Sequence, residues 1–398
     1  MELATFLRSR VTQEAVIELV RERLNPADRG YMGAEYLPEI IVRSDRYERS
    51  ILKLGPAIIA NDVAPLSTGR FGSRLSRQTV GGGLIDSAAH MHYDGEEIEM
   101  FIQLVEELPG DTVRASMPEL ATYLSITDQH LLTPLDMNKE RKRWTLMGTG
   151  RAYPDGARDD DFTKPPVLDV YDASQTTVVT QASGRSIYGG LDANFIEDYR
   201  QAVQRATALG YTITESVMHG DTLTQILSLP STKEALGMTT LAVNTGGNLS
   251  VQMSQGVATE EALAAQLRAQ KLPPIRTYSG TWATQVRAAG DPAGPVGQYV
   301  VTPYIPQGRV VLVPQAGPLD LSIVEPATPQ VITPFNAQRR VGVHVIGRPT
   351  GQSRVANPLV FGPNFHEGVN PNMDGDSILA HMPFLNFPGG FQVLEYQQ

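Results

Sequence analysis

Two histidines separated by one residue are the strongest candidates for metal chemistry in this chain. His90 and His92 flank Met91, and in a β-strand this spacing places both imidazoles on one face, an arrangement that zinc sites use. A zinc ion needs a third protein ligand, and Asp86 and Asp94 are nearby in the sequence. The alternative interpretation is that these residues form a solvated polar segment without a metal.

Two acidic segments resemble cation sites less closely. The segment NPNMDG, which begins at Asn370, matches the start of a calcium loop, but position twelve is His381 instead of the bidentate glutamate that such a loop needs. It is more typical of a cluster of Asx and glycine turns. The run Asp159–Asp161 is typical of a solvated charged surface.

The motifs of the common enzyme classes are missing from the sequence. Gly148-Thr-Gly150-Arg lacks the Lys-Ser/Thr that gives a P-loop its phosphate contacts. The pairs Gly189-Gly190 and Gly246-Gly247 lack the spacing of a dinucleotide fingerprint, and no G-x-S-x-G elbow occurs. We therefore predict a protein that is not an enzyme and that has no cofactor.

Composition narrows the class of protein further. The chain has 398 residues, 41% apolar and 19% charged, with a net charge of −10 at pH 7, and its length suits two or three domains of ~150 residues. The charged fraction is below the roughly 25% of an average globular protein, which fits a large subunit interface. The acidic balance argues against wrapping of nucleic acid by the whole surface.

There is no cysteine, which excludes disulfides and thiolate chemistry. No signal peptide or apolar run of ~20 residues is evident, so we expect a protein made in the cytoplasm and no membrane partner.

The hydrophobic pattern predicts helices in the first two-thirds of the chain. Thr12 caps a helix to about Leu24. Residues 113–150 are helical in pieces, with Pro118 in a first turn, Pro134 as a break, Asp136–Met147 as the best-formed part and Gly148 as the stop. Three further helices are predicted. The first begins at Asp192, has an apolar face and stops at Gly210, and the second begins at Asp221. The third begins near Glu260, with Leu263 and Leu267 inward.

Strands dominate the rest of the prediction. The predicted strands are Thr176–Thr180, Tyr211–Met218, Gln298–Tyr304, Arg309–Val313, Val341–Ile346, Ser377–His381 and Phe391–Tyr396. The fold class is therefore α+β, with a helix-rich middle domain.

Residues 61–99 have too little apolar content to form a core of their own. Arg70, Arg74 and Arg77 precede the glycines Gly81–Gly83, which suit a turn, and acidic residues follow. We interpret this stretch as a protruding two-stranded ribbon; because a lone hairpin is marginal in water, it needs a partner surface, such as another copy of the chain. The alternative is a disordered linker.

The order of these parts resembles the major capsid proteins of tailed phages, in particular the lambda type, the phage major capsid protein E family. The ribbon at 61–99 resembles the extended loop of that family, and residues 113–147 followed by GTGRAY resemble its spine helix and the strand after it. The block 192–236 resembles the axial domain, and QSRVANPLVFGPNFHEG (352–368) a segment of the peripheral domain, which the strand FQVLEY would close.

The resemblance implies the Hong Kong 97-type capsid fold. The expected organisation is an N-terminal arm and first strands (1–60), an extended β-ribbon loop (61–107), a peripheral domain with a spine helix (108–190), an axial domain (191–335), and a return to the peripheral domain (336–398). Pro118 and Pro134 depart from the family by shortening or kinking the spine helix.

The resemblance also implies function and partners. The chain would self-assemble through hexamers and pentamers into the icosahedral shell of a virion, in the host cytoplasm. It would meet a portal protein, double-stranded DNA without sequence specificity, and a separate scaffolding or decoration protein. The interface residues that we expect on the ribbon are Arg70, Arg74 and Arg77, opposite acidic residues such as Glu96, Glu97 and Glu99.

Two other functions stay open on the sequence. One is the shell of a bacterial nanocompartment, which shares the fold, and the other is a metal-dependent hydrolase that uses His90 and His92. A further expectation concerns cross-linking. Some capsid relatives join a lysine of the extended loop to an asparagine of a neighbour. This chain has no lysine from Leu54 to Asn138, so we expect a shell without such cross-links.

Overall fold

The computed structural model describes most of the chain, in thirteen segments. They are residues 30–53, 76–93, 131–152, 168–171, 173–179, 194–237, 258–286, 298–315, 323–324, 331–332, 341–353, 359–366 and 372–396. The predicted helix over 12–24, Pro118 and the run Asp159–Asp161 lie outside these residues.

The secondary structure is mixed, as the sequence predicts. The helices are α1 (Gly33–Tyr36), α2 (Thr133–Thr149), α3 (Phe195–Ala208), α4 (Gly220–Ser228), α5 (Pro230–Ala235) and α6 (Glu260–Ala269). The strands are β1 (Glu39–Ile41), β2 (Arg46–Lys53), β3 (Ser76–Gly83), β4 (Ile85–Tyr93), β5 (Arg151–Ala152), β6 (Leu168–Asp169), β7 (Thr176–Val179), β8 (Ile213–Met218), β9 (Ile275–Thr277), β10 (Thr281–Val286), β11 (Gln298–Pro303), β12 (Arg309–Pro314), β13 (Ile323–Val324), β14 (Val331–Ile332), β15 (Gly342–Gly347), β16 (Leu359–His366), β17 (Asn372–Leu385) and β18 (Gln392–Tyr396).

The first sheet is organised by its longest strand, β17. That strand pairs antiparallel with β15, β16 and β4, and β1 adds to β15 in parallel. Residues of β4 alternate between its two faces, so that Ser87 is buried whereas His90 is exposed. This period of two is the reason why one short strand carries both core and surface groups.

The second sheet contains a strand, β12, that is buried on both faces. The strand order of this sheet is β7-β18-β12-β8-β9. In β12, Val311 and Val313 belong to one apolar core, whereas Val310 and Leu312 belong to the other. A strand covered on both sides needs apolar residues at every covered position, which explains the run VVLVP after Arg309.

The two larger apolar cores of the described residues differ in the elements that cover them. The first lies around α2, where Trp144 stacks on Tyr278 with ring centroids 5.4 Å apart and meets Tyr36 edge-on at 6.0 Å. The second is formed by α3, α4 and α6 against the second sheet, and Leu263 and Leu267 point inward as predicted.

Two predicted helix caps are each two residues away from the observed cap. Asn194 caps α3, because its side chain accepts a hydrogen bond from the Glu197 N–H; Asp192 lies outside the described residues. At α4 the cap is His219, whose Nδ1 accepts from the Asp221 N–H at 3.2 Å. Gly210, in contrast, ends its helix region as predicted, with a φ of 84°.

The boundaries of α2 also correct the sequence prediction. Pro134 lies in the first turn of the described helix instead of breaking its middle, since a proline needs no hydrogen-bond donor there. Gly148 lies inside the helix, and the stop is Gly150. Gly150 has a φ of 71°, and a Cβ there would collide with Tyr171, so both conformation and space require glycine.

The stretch predicted as one ribbon divides between two sheets. Strand β3 pairs antiparallel with β2, which lies before the predicted range, and β4 pairs with β17 in the first sheet. Gly81–Gly83 lie within β3 instead of at a turn. A two-stranded ribbon is therefore present, but its strands are 46–53 and 76–83.

Two predictions near the C-terminus are also corrected. The segment Asn372–Gly375 continues into strand β17 and is not a turn cluster. The final strand β18 lies between β12 and β7, in the sheet that carries α3 and α4, and not in the sheet of β15 and β16. Long-range pairing decides both placements, and neither leaves a local sequence signal.

Candidate functional site

Helix α2 buries an unusual number of charged side chains. Its sequence TPLDMNKERKRWTLMGT places five charged groups at 6% exposure or less: Asp136, Lys139, Glu140, Lys142 and Arg143. Charged residues are almost never fully buried unless they are paired. The contacts of these residues therefore show which parts of the fold the helix connects.

A cluster of opposite charges ties α2 to the edge strand β1. The Lys139 Nζ lies 2.9 Å from Glu39 Oε1 and 2.6 Å from Asp136 Oδ1, and the Arg143 Nη2 donates to the same Glu39 oxygen at 2.9 Å. Burial alone would raise the pKa of Glu39, but the two cations outweigh it and lower that pKa. The carboxylate therefore stays ionised and holds β1 on the helix.

Glu140 joins α2 to α1. Its Oε1 accepts hydrogen bonds from the Gly33 N–H at 2.7 Å and from the Trp144 Nε1–H at 2.8 Å, and its Oε2 faces Arg143 Nη1 at 3.3 Å. A Cβ on residue 33 would lie 2.7 Å from the carboxylate, so Gly33 permits this close approach. One carboxylate thus positions a backbone turn, an indole and a guanidinium.

A chain of hydrogen bonds joins the helix to the first sheet. The Lys142 Nζ and the Asn138 Nδ2 donate to Ser87 Oγ at 2.9 and 3.0 Å. With both lone pairs of the hydroxyl in use, its hydrogen points to His381 Nε2 at 2.9 Å. His381 Nδ1–H then donates to His344 Nε2 at 2.8 Å, and the two rings stack with centroids 5.0 Å apart.

Both histidines of this hydrogen-bonded series, His344 and His381, are held neutral. Burial lowers the pKa of His344 and of His381 well below the usual value, and nearby cations lower both further, Arg143 foremost at His344 and Lys142 at His381. Within the described residues, His344 Nδ1 has no hydrogen-bond partner. Ser87 and His381 resemble a nucleophile and its base, but both are fully buried, so a substrate cannot reach them. The arrangement supports a structural lock between helix and sheet.

The residues predicted for the ribbon interface are mostly outside the described part of the chain. Arg70, Arg74, Glu96, Glu97 and Glu99 all lie there. Arg77 lies in β3, in register with Leu52 of β2. The predicted ion pairs between copies therefore stay a prediction.

Of the predicted metal ligands, His90 lies on the outer face of the first sheet. His90 is exposed and its Nδ1 lies 2.5 Å from Asp376 Oδ1, and His92 is in register with Asp374. The Asp86 carboxylate instead accepts from the Thr350 N–H at 3.2 Å, and Asp94 lies outside the described residues. Sequence reasoning missed the contact of His90 with Asp376, because Asp376 comes from a strand that is distant along the chain.

Two kinds of feature are absent from the described residues. No three metal-ligating side chains there come together closely enough to hold an ion. In the same residues, no helix has the length and apolar character needed to cross a bilayer.

Comparison with known proteins found a likeness in structure but not in sequence. No family model and no curated protein matches the chain. Among solved structures, a phage-related protein from Bordetella bronchiseptica RB50 is 14% identical, with 97% of each chain covered and a TM-score of 0.46. A prophage protein of Escherichia coli CFT073 that is assigned as a capsid protein is 10% identical, with 95% of this chain and 99% of that chain covered and a TM-score of 0.49. The capsid of Myoviridae phage XM1 is 11% identical, with 89% and 86% covered and a TM-score of 0.38.

Proposed function

We propose that this chain is the major capsid protein of a tailed phage, which assembles through hexamers and pentamers into the icosahedral shell of a virion. The proposal extends to the Hong Kong 97-type fold, with its arm, extended loop, spine helix and axial domain. Partners would be further copies of the chain, a portal protein, packaged double-stranded DNA, and a separate scaffolding or decoration protein.

The observation that carries the proposal is the ribbon of β2 and β3. Eight residues of each strand pair with one another, and neither strand pairs with a third one in the segments that the structure covers. At ~3.4 Å per residue the ribbon is about 27 Å long. A two-stranded ribbon of this kind is marginal in water, so a surface of another copy is the natural partner.

The buried lock around α2 supports the same proposal. Ion pairs and hydrogen bonds fix the helix between α1, β1 and the first sheet. A shell subunit needs a body of defined shape that presents the same edges in every copy. Such a body suits assembly better than it suits catalysis.

A deletion within the ribbon connection tests the proposal. Removing residues 56–73 spares both ribbon strands and also β4, which a longer deletion would take from the first sheet. We expect a chain that folds, with an unchanged circular dichroism spectrum and urea transition, but that forms no shells in negative-stain microscopy. Normal shells from this variant would exclude the connection between the two ribbon strands from the assembly mechanism.

The contents of the particles test the function itself. A phage capsid encloses DNA, whereas a bacterial nanocompartment encloses a protein cargo. Particles purified from the native source and treated with nuclease should retain double-stranded DNA of a defined length. Small particles that hold only protein would favour the nanocompartment.

The arginines of the ribbon region provide a second test. We propose that Arg70, Arg74 and Arg77 face acidic residues of a neighbouring copy, such as Glu96–Glu99. Because a single exposed pair contributes only about 0–1 kcal/mol, the effect depends on repetition over many copies. Changing all three to Glu should raise the protein concentration needed for assembly, most at low salt. The triple Lys variant, which keeps the charge, is the control, and an equal threshold for both would refute the pairing.

A further inference from the structure

The hairpin of β10 and β11 is a second two-stranded element outside the two large sheets. Its strands pair with each other, and neither pairs with a third strand in the part of the chain that the structure describes. The strand sequences TWATQV and QYVVTP contain no charged residue, whereas β2 and β3 carry charges of both signs. Because free strand edges are commonly protected by charged side chains, an uncharged hairpin of this kind is suited to being covered by a partner.

The root of the hairpin is fixed to the body of the protein. Trp282 packs against the first apolar core, and the Arg141 guanidinium lies 5.3 Å from the centroid of its ring. Tyr278 and Tyr304, which flank the two strands, stack with ring centroids 5.9 Å apart, and the Tyr304 N–H donates to the Gly280 carbonyl at 3.0 Å. A surface whose position is fixed in advance loses less conformational entropy when it binds.

Beyond this root the hairpin exposes apolar side chains on both of its faces. Val300 is 46% exposed and Val301 is 62% exposed. Adjacent residues of a strand point to opposite faces, so both faces extend away from the body here. Val301 is paired with Ala283, which is exposed as well. Other large apolar side chains of the described residues that are exposed to a similar degree lie singly along the chain: Ile41, Val178 and Leu209.

The charge of the chain indicates which partner covers the hairpin. Each copy has a net charge of −10, so two copies repel each other, and a contact between them costs least where the surface has no charge. The centres of protein interfaces are likewise depleted of charged residues. Nucleic acid does not fit, because it is bound through cationic side chains and these strands have none. Two open faces also suit a ring of copies, in which each copy has a neighbour on either side.

We propose that the β10–β11 hairpin is a contact between copies of this chain, in which a neighbouring copy buries Val300 and Val301. The inference rests on the proposed function in that it takes self-assembly as its setting. It adds a contact that is separate from the β2–β3 ribbon and that is apolar instead of charged.

A pair of threonine substitutions tests the contact. The double variant Val300→Thr/Val301→Thr keeps the β-branched shape that suits a strand but places a hydroxyl in each buried position. The concentration at which half of the protein is associated, measured by sedimentation velocity, should rise at least about tenfold, since apolar burial is lost and hydroxyl groups are desolvated. Val178→Thr is the matched control, because it makes the same change on β7 at a residue that is 47% exposed.

Thiol labelling provides a second measurement that does not require association to be weakened. The chain has no cysteine, so Val301→Cys introduces a single thiol. A small thiol reagent should modify it at least about tenfold more slowly in associated protein than in dissociated protein, because the contact removes the side chain from solvent. Glu261→Cys, at an exposed position of α6, is the control and should react equally fast in both forms.

The outcomes separate this contact from the function that we propose. Shells that form at an unchanged concentration in the double variant, or an unchanged labelling rate for Val301→Cys, would overturn the contact and leave the capsid function standing. Smaller oligomers that depend on both valines, without shells that hold DNA, would support the contact and contradict the function. A chain that stays monomeric at every concentration, or an equal shift in Val178→Thr, would also refute the contact.

Discussion

Helix α2 and helix α6 are both packed into the body of the protein, but by different means. Helix α6 buries Leu263 and Leu267 and leaves its charged residues in solvent, whereas α2 buries Lys139, Glu140 and Arg143 with partners. An apolar stripe requires mainly the right volume, while ion pairs and hydrogen bonds also require direction. The difference indicates that α2 is held in one rotation and one register, and that α6 is held by burial.

The position of α2 explains why it needs directional contacts. It contacts β17 and β4 of the first sheet, β12 of the second sheet, and α1. A helix with neighbours on so many sides has no single apolar stripe to orient it. Directional contacts supply the orientation that the apolar pattern does not.

The largest effect is expected where the charged core is broken. Glu140→Ala would leave the Gly33 N–H and the Trp144 indole N–H without their acceptor and would weaken the pairing of Arg143. Removal of one partner from a buried pair costs about 3–5 kcal/mol. Urea unfolding of the unassembled chain measures this loss in the free energy of unfolding.

The control for this variant is Glu197→Ala. Glu197 pairs with Arg200 on the surface of α3, where such a pair contributes about 0–1 kcal/mol. Similar losses for Glu140→Ala and Glu197→Ala would show that the buried network does not hold α2.

A smaller and simpler effect is expected in the apolar core. Leu267→Ala in α6 should cost about 2–5 kcal/mol from lost transfer energy and a cavity. Leu209→Ala, at a residue 39% exposed, should cost clearly less. The free energy of unfolding that is lost in Leu267→Ala should also be the same in mildly acidic and neutral urea titrations. A marked difference between the two titrations would contradict the conclusion that α6 is held by burial.

The buried histidines predict a dependence of stability on pH. The folded protein holds His344 and His381 neutral, with lowered pKa values, whereas the unfolded chain protonates them near pH ~6.5. Below that pH the unfolded state binds more protons, so stability falls as the pH drops, by about 1.4 kcal/mol per pH unit for each histidine. Glu39, whose pKa is lowered from 4.5, adds its loss only at more acidic pH.

Unfolding titrations between about pH 7.5 and about pH 5.5 separate these contributions, since the histidines begin to titrate within that range. His344→Leu should remove about half of the histidine contribution to the slope, whatever it does to stability at neutral pH. An unchanged slope in this variant would mean that His344 does not contribute to it.

The comparison also shows what could be predicted from the sequence. Helix α6 and strand β12 were accessible because their apolar periodicity is local. The burial of DMNKERKRW was not, because its partners Glu39, Ser87 and His381 come from three separate strands. Pairing of β2 with β3 and of His90 with Asp376 was missed for the same reason.

The smallest expected effect concerns covalent cross-linking between copies, which we expect to be absent. An isopeptide bond needs an uncharged lysine amine that meets a side-chain amide in a dry site. The connection between the ribbon strands has no lysine, since none lies between Leu54 and Asn138, and Lys139 and Lys142 are buried inside their own subunit with partners there. Lys53, the last residue of β2, is the one lysine of the ribbon, and we expect its amine to stay charged. Arginine stays protonated and cannot replace lysine, and cysteine bridges are impossible because the chain has no cysteine. Particles boiled in detergent should therefore give a single band near 43.3 kDa on a denaturing gel. A sample treated with a chemical cross-linker shows that the gel can display multimers, and a ladder in the untreated particles would refute the prediction.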